Sequence, residues 1–208
     1  MKVELLFITP DAEKVIEAAG RTSYLSFDKE GKDTEKAFVR MLIKRRHLSV
    51  LEHAYATLRI SGVSRAFTHQ LVRHRLCSYT QQSQRYVNES NFSYVKPPLI
   101  ESNPEAQSAF TKFMDEAKRV YLELQRLGIR NEDARFVLPN AVETQIVVTA
   151  NLREWRHIIE LRGTLQAQWE IRKVAIEILR ILKEHAPTIF EDMEIDEEDT
   201  KIGRQHLT

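Results

Sequence analysis

Ala54-Tyr55-Ala56-Thr57-Leu58-Arg59-Ile60 places an apolar side chain at every second position, the period of a strand with one buried face. Residues 142–149, rich in Val and Thr, read as a second strand, and residues 3–8 near the start as a third. Between them the period becomes helical. Residues 33–46 pair Ala37 with Met41 and Phe38 with Leu42 on one face. A helix starting near Ser64 carries Phe67, Leu71 and Val72 toward Arg73. Asn103 as N-cap with Pro104 at the first helical position opens a long helix that ends at Gly128. Trp155, Ile158, Ile159 and Leu161 belong to one further helix. Ile171, Val174, Ala175, Ile178, Leu179 and Leu182 belong to the last, which stops before Pro187. A short helix after Pro10 is expected to end at Gly20 in a left-handed cap. The Ser- and Gln-rich residues 77–86 read as a loop, Pro97, Pro98 and Pro104 bracket an irregular stretch, and the acidic residues 191–199 read as a mobile tail. The class is α+β, a single mixed domain over 1–208 with helices outnumbering strands.

The 31 basic and 30 acidic residues leave a formal net charge of +1, so any attraction for an anion must come from local clustering. Cys77 is the single cysteine, which excludes an internal disulfide and suits a reducing compartment. No apolar run approaches the ~20 residues that cross a bilayer. Lys2 and Glu4 interrupt the first apolar stretch, which is expected to be a strand and not a secretion signal. A cytoplasmic location is the expectation.

Between Glu52 and Glu89 there is neither a carboxylate nor a lysine, yet the stretch holds Arg59, Arg65, Arg73, Arg75 and Arg85 with His53, His69 and His74. Arginine's planar fork matches phosphate, and it stays charged. A second lysine-free stretch holds Arg135, Arg153, Arg156 and Arg162, further donors to the same cavity. Two readings stand: an anion site, or arginines that cap a helix end, where cations are favoured by roughly 0.3–1 kcal/mol. The six glycines are scattered, so neither a P-loop nor a dinucleotide fingerprint can be drawn, and side chains must hold any phosphate.

Arg73-His74-Arg75, followed by Ser83-Gln84-Arg85-Tyr86, resembles the signature of the flavin-dependent thymidylate synthases. Upstream, His47-Leu48-Ser49-Val50-Leu51-Glu52-His53 is similar to that family's His-x-Ser-x-x-Glu-His segment. Downstream, Ala134-Arg135-Phe136-Val137-Leu138-Pro139, then Asn151-Leu152-Arg153, His157, Leu161-Arg162 and Ala167-Gln168-Trp169-Glu170 follow in the family's order. The resemblance implies a central antiparallel sheet flanked by long helices and a homotetramer whose active sites lie at subunit junctions. It implies reductive methylation of dUMP to dTMP, with FAD as cofactor, methylenetetrahydrofolate as carbon donor and NADPH as reductant. With such a cofactor, reduced flavin is expected to deliver its hydride to the pyrimidine once the two rings are stacked and aligned.

Carried over by position, the resemblance gives Ser49, Arg73, His74, Arg75, Gln81, Asn151, Leu152, Arg153 and His157 to the cofactor, with His47 near the flavin or structural. Gln70, Leu71, Val72, Gln81, Gln82 and Ser83 would bind dUMP, several through backbone amides. Gln84, Arg85, Arg135 and Arg162 complete that set, with Arg73 shared. Arg162 would be the catalytic residue, its guanidinium stabilising an enolate-like uracil. Gln81 stands where some members carry Glu, and Gln166 where some carry His, so neither a carboxylate nor a ring nitrogen is offered there. Ser83 is expected to bind and not to attack, and the signature requires no cysteine at position 77.

A reading of another class is an Arg-rich nucleic-acid-binding module, with Phe67, Tyr79, Tyr86, Phe92 and Tyr94 as stacking partners. The near-zero net charge weighs against it. No metal is expected, since no two of His47, His53, His69 and His74 are spaced i, i+4 on a helix.

Overall fold

In chain order the elements are β1 (Lys2–Ile8), α1 (Ala12–Thr22), α2 (Thr34–Lys44), β2 (Tyr55–Ser64), α3 (Arg65–Leu71), β3 (Cys77–Gln81), α4 (Pro98–Glu101) and α5 (Pro104–Arg126). There follow α6 (Asn131–Ala134), β4 (Glu143–Asn151), α7 (Leu152–Arg162), α8 (Trp169–His185), α9 (Pro187–Phe190), β5 (Met193–Asp196) and β6 (Lys201–Arg204). This is a computed structural model that describes residues 1–198 and 200–204.

The first four strands form one sheet in the order β1-β2-β4-β3. Its neighbours run antiparallel. Thr9 N, just past β1, donates to the Tyr55 carbonyl at the start of β2 (2.9 Å). Thr57, early in β2, shares a hydroxyl hydrogen bond with Thr149, late in β4 (2.9 Å). Gln82 N, just past β3, donates to the carbonyl of Gln145, early in β4 (3.0 Å). The expected alternation holds in β2, where Ala56, Leu58 and Ile60 are buried while Tyr55 and Arg59 are exposed. The α+β class with an antiparallel sheet is therefore what these residues build.

The chain divides into two compact units, and each of β1 to β4 contributes residues to both. Unit one takes residues 1–2, 60–70 and 80–146. Its long helix α5 starts as expected: the Asn103 side chain accepts from the N–H groups of Glu105 and Ala106 (both 3.1 Å), with Pro104 at the first position. Past its end Gly128 adopts φ +82°, the left-handed turn that glycine permits cheaply. Met114 on its apolar face packs with Phe92 and Val142, and Tyr94, Phe110 and Leu138 close around them.

Unit two takes residues 3–59, 71–79 and 147 onward. Here α1 packs on α2, and α8 on both α7 and α9. The buried Trp155 donates its indole N–H to the Ala56 carbonyl (3.0 Å), which fastens α7 to β2. The face of α8 read from the sequence is the buried one.

Some expectations give way. Residues 77–81 are not loop but the edge strand β3: their polar side chains do not prevent the backbone from pairing with β4, and burial alternates along them. Residues 98–101 of the expected irregular stretch make the short helix α4. Gly20 lies inside α1 without a left-handed φ, and a Cβ there would meet Phe38 Cε1 at 2.5 Å. It is a packing glycine, not a cap. The acidic stretch read as a tail contains β5, paired antiparallel with β6, Met193 opposite Arg204 and Asp196 opposite Lys201. Ile202 N donates to the Gly163 carbonyl (2.8 Å), so the hairpin is anchored to the end of α7. Asp199 of that stretch, like residues 205–208, lies outside the described residues.

Candidate functional site

In unit two the turn after α3 lies against α7. Tyr79, on β3, gives its hydroxyl to the carbonyls of Leu71 and His74 (both 2.8 Å), and so fixes the turn's path. The helix is started by Asn151, whose side-chain oxygen accepts from Glu154 N (2.8 Å). Helical spacing then stacks Glu154, His157, Leu161 and Arg162 along one face. These four and Arg73, His74, Arg75 and Leu76 line a cleft of about 680 Å³. An adjoining cleft of about 420 Å³ shares Leu76, Glu154 and His157 and adds Leu48, Glu52, Asn151, Arg153, Arg156 and Glu160.

The charges of the first cleft are arranged around His74, which is 5 % exposed. Arg162 Nε donates to its Nε2 (3.1 Å), and the Glu154 carboxylate faces its Nδ1 at 3.6 Å. The His157 ring stands edge-on to it, 5.6 Å between centroids. Burial, then Arg162 and His157, push the His74 pKa down to about 4, so the ring is neutral at neutral pH. Burial raises the Glu154 carboxyl, against the pull of His157 and Arg153. Arg73 and Arg75 are exposed and have no hydrogen-bond or ion-pair partner among the described residues. Arg153 is paired with Glu52 (2.5 Å).

Unit one holds a second group. Gln81 donates its side-chain amide to Thr68 (3.0 Å) and Thr144 (3.4 Å). Gln82 donates its amide to Glu89 (3.2 Å) and accepts at its carbonyl from Arg65 (2.7 Å). Burial holds the Arg65 guanidinium below its ordinary pKa and the Glu89 carboxyl above its own. Arg85 pairs with the Glu132 carboxylate (2.8 Å) and lies over the Tyr86 ring (5.3 Å), while Arg135 Nε donates to the Glu132 carbonyl (3.1 Å). Ser83 Oγ accepts from Arg85 N (3.2 Å).

Arg73, Arg75 and Arg162 thus line one cleft with a neutral His74 among them, whereas Arg85 and Arg135 belong to unit one. Residues 4–188 match the family described as thymidylate synthase complementing protein. The protein named flavin-dependent thymidylate synthase from Geobacter sulfurreducens is 45 % identical over 200 residues, covering 92 % of this chain and 86 % of the relative. Those of Mycolicibacterium vanbaalenii (46 % over 198 residues; 87 % and 79 %) and Corynebacterium diphtheriae (42 % over 201; 88 % and 80 %) carry the same name. The chain belongs to the flavin-dependent thymidylate synthase family. It is an enzyme of that family, and the likeness reaches far beyond the quoted motifs.

Of the residues picked out by the family signature, Arg73, His74, Arg75, His157 and Arg162 meet in the first cleft, and Asn151 and Arg153 line the second. Ser49 is exposed on the 3-10 turn Leu48–His53, whose Leu48 and Glu52 border the second cleft. Leu152 is fully buried, and its backbone N–H is given to the Ala54 carbonyl (2.8 Å). Leu71 is buried as well, Val72 is half-exposed, and His47 Nδ1 lies 3.5 Å from the Tyr24 hydroxyl. Gln70, Gln81, Gln82, Ser83, Gln84, Arg85 and Arg135 belong to unit one. Arg156, read as a further cavity donor, borders the second cleft, but its guanidinium is buried and gives two hydrogen bonds to Asp192 (2.7 and 2.6 Å) and one to the Ile189 carbonyl. Sequence reasoning missed Glu154. An acid in the first turn of a helix reads as a dipole partner, and only the fold shows that it faces His74.

Proposed function

We propose that this enzyme carries out the reductive methylation of dUMP to dTMP, with methylenetetrahydrofolate as carbon donor and FAD reduced by NADPH. The observation that carries the reading is the exposed pair Arg73 and Arg75, without partners among the described residues, beside a buried, neutral His74 that accepts from Arg162. Such a donor set fits a dinucleotide. Two exposed guanidiniums suit a pyrophosphate, and adjoining clefts give an elongated ligand room along α7. Arg73, His74, Arg75, Arg153 and His157 would hold FAD through side chains, Asn151 through its amide nitrogen, since its oxygen caps α7. When bound, the flavin supplies the reducing equivalents that turn a one-carbon bridge into a methyl group.

The chain's own residues bind, orient and stabilise charge. Ser83, Gln84, Arg85 and Arg135 would bind dUMP by side chain, with Arg85 and Arg135 turning from Glu132 to the phosphate. Gln81 and Gln82 would contribute their side-chain oxygens, because their amide nitrogens are engaged and both backbone groups of Gln82 are paired, the N–H with Gln145 and the carbonyl with Arg65. Arg162 would stabilise the negative charge that builds on the pyrimidine when C5 attacks carbon. No covalent attack by the enzyme is needed: burial pushes the Cys77 thiol up, away from the thiolate that nucleophilic work requires. The assembly proposed is a homotetramer with sites shared between subunits.

Purified protein should show oxidised flavin bands that NADPH bleaches and dUMP shifts. It should form dTMP from dUMP and methylenetetrahydrofolate only when the reductant is present. A colourless protein that stays inactive after incubation with FAD would sink the reading.

A further inference from the structure

His74 stands between an anion and a cation, and the chemistry of the cation orders the rest. A guanidinium N–H only donates, so the 3.1 Å contact from Arg162 Nε requires a bare lone pair on His74 Nε2. The proton of the neutral ring is then on Nδ1, the nitrogen that faces Glu154 at 3.6 Å. Were the tautomer reversed, a lone pair would face the carboxylate and an N–H would face the guanidinium, unfavourable on both sides. Glu154 is 6 % exposed and His74 is 5 % exposed, so bulk water does little to soften either mismatch. Together with His157 these residues have the composition of a cation site, their ligand atoms within 4.8 Å of one another. The cation beside them is the guanidinium of Arg162.

We propose that Glu154 is a positioning residue for the reaction: it holds the His74 proton on Nδ1, so that Nε2 accepts from Arg162 Nε and sets the orientation of the guanidinium in the cleft. The inference rests on the role proposed above for Arg162. Its logic is that of a carboxylate that fixes the tautomer of an imidazole, which in turn orients the group that does the chemistry. Burial of Glu154 among Arg153, His157 and His74 makes it sensitive to replacement. The isosteric Glu154→Gln keeps the shape and removes the charge.

The test uses holoenzyme with ¹⁵N-labelled histidine, the His74 signals assigned by their loss in His74→Gln. Wild type should show Nε2 unprotonated and Nδ1 protonated at neutral pH. In Glu154→Gln the proton should distribute over both nitrogens, and kcat should fall about 10- to 100-fold, the size typical when a supporting partner is removed. Flavin content and melting temperature should stay near wild type. A proton on Nε2 in wild type overturns the proposal, and that spectrum decides even if the variant fails to fold. An unchanged tautomer in the variant overturns it too, whatever happens to kcat, as does loss of flavin with kcat per bound flavin preserved. Failure of the functional reading looks different: wild type would make no dTMP, while its tautomer would still report on Glu154.

Discussion

Arg162 owes its place to two constraints, the helical spacing of α7 and the acceptor on His74. Lysine at this position would keep the charge but not the fork that donates from Nε while presenting its other nitrogens elsewhere. Arg162→Ala is therefore expected to lower kcat by about 10²–10³-fold, the usual cost of removing a donor to a developing oxyanion. Arg162→Lys should recover little of it. Steady-state kinetics on flavin-loaded variants check both; full activity in the lysine variant would leave charge alone as the requirement. Cys77 poses the opposite case. Its half-buried thiol is raised by burial and lies near Tyr79 and Glu154, an environment that disfavours thiolate. Cys77→Ala should keep kcat within about 3-fold of wild type, a packing effect and not a chemical one. A collapse of turnover with flavin content intact would reinstate a cysteine nucleophile.

Among the elements, α7 carries both the cleft and a piece of the core, and its two faces were unequally legible. Trp155, Ile158 and Ile159 declare the buried face by period alone. Arg156 does not: on a helix that also offers Arg153 and Arg162, a third arginine reads as another anion donor. Its partner Asp192 is far along the chain, in an acidic stretch whose composition resembles a tail, so pattern reasoning could not join them. The fold makes the pair a buried clamp between α7 and the segment leading into β5. Removing one member leaves a charge stranded in the core, at a cost of about 3–5 kcal/mol. Asp192→Ala should lower the urea midpoint accordingly, and Arg156→Met with Asp192→Leu should restore much of the loss. A single variant as stable as wild type would mean that water reaches the guanidinium. Gly20 and β3 teach the same lesson. Local propensity finds a cap or a loop, whereas the contact of Gly20 with Phe38 and the edge offered by β4 decide the outcome.

At the scale of the whole molecule, a net charge of +1 conceals a cleft where two arginines lack partners among the described residues and a histidine is kept neutral. The clustering was legible because charge composition along the chain is a local property. The neutrality of His74 was not, since it depends on burial and on Arg162 and His157 brought close by folding. It has a consequence for stability. An unfolded histidine titrates near 6.5 and folded His74 near 4. Between those values the unfolded chain binds a proton that the folded chain refuses, so this contribution is constant above about pH 6.5 and is lost as pH falls toward 4. Glu89 and Glu154, raised by burial, work with the opposite sign, since their folded forms take up protons first as the pH drops. In wild type the terms partly cancel, and comparison with His74→Gln isolates the histidine. The stability of wild type relative to that variant should fall by about 1–3 kcal/mol between pH 7 and pH 4.5, read from urea unfolding at each pH. A difference that does not change with pH would mean that folded His74 titrates as the unfolded residue does, and one that grows as pH falls would mean that folded His74 carries its proton, paired with Glu154. Nε2 would then be a donor, and the hydrogen bond that orients Arg162 could not exist.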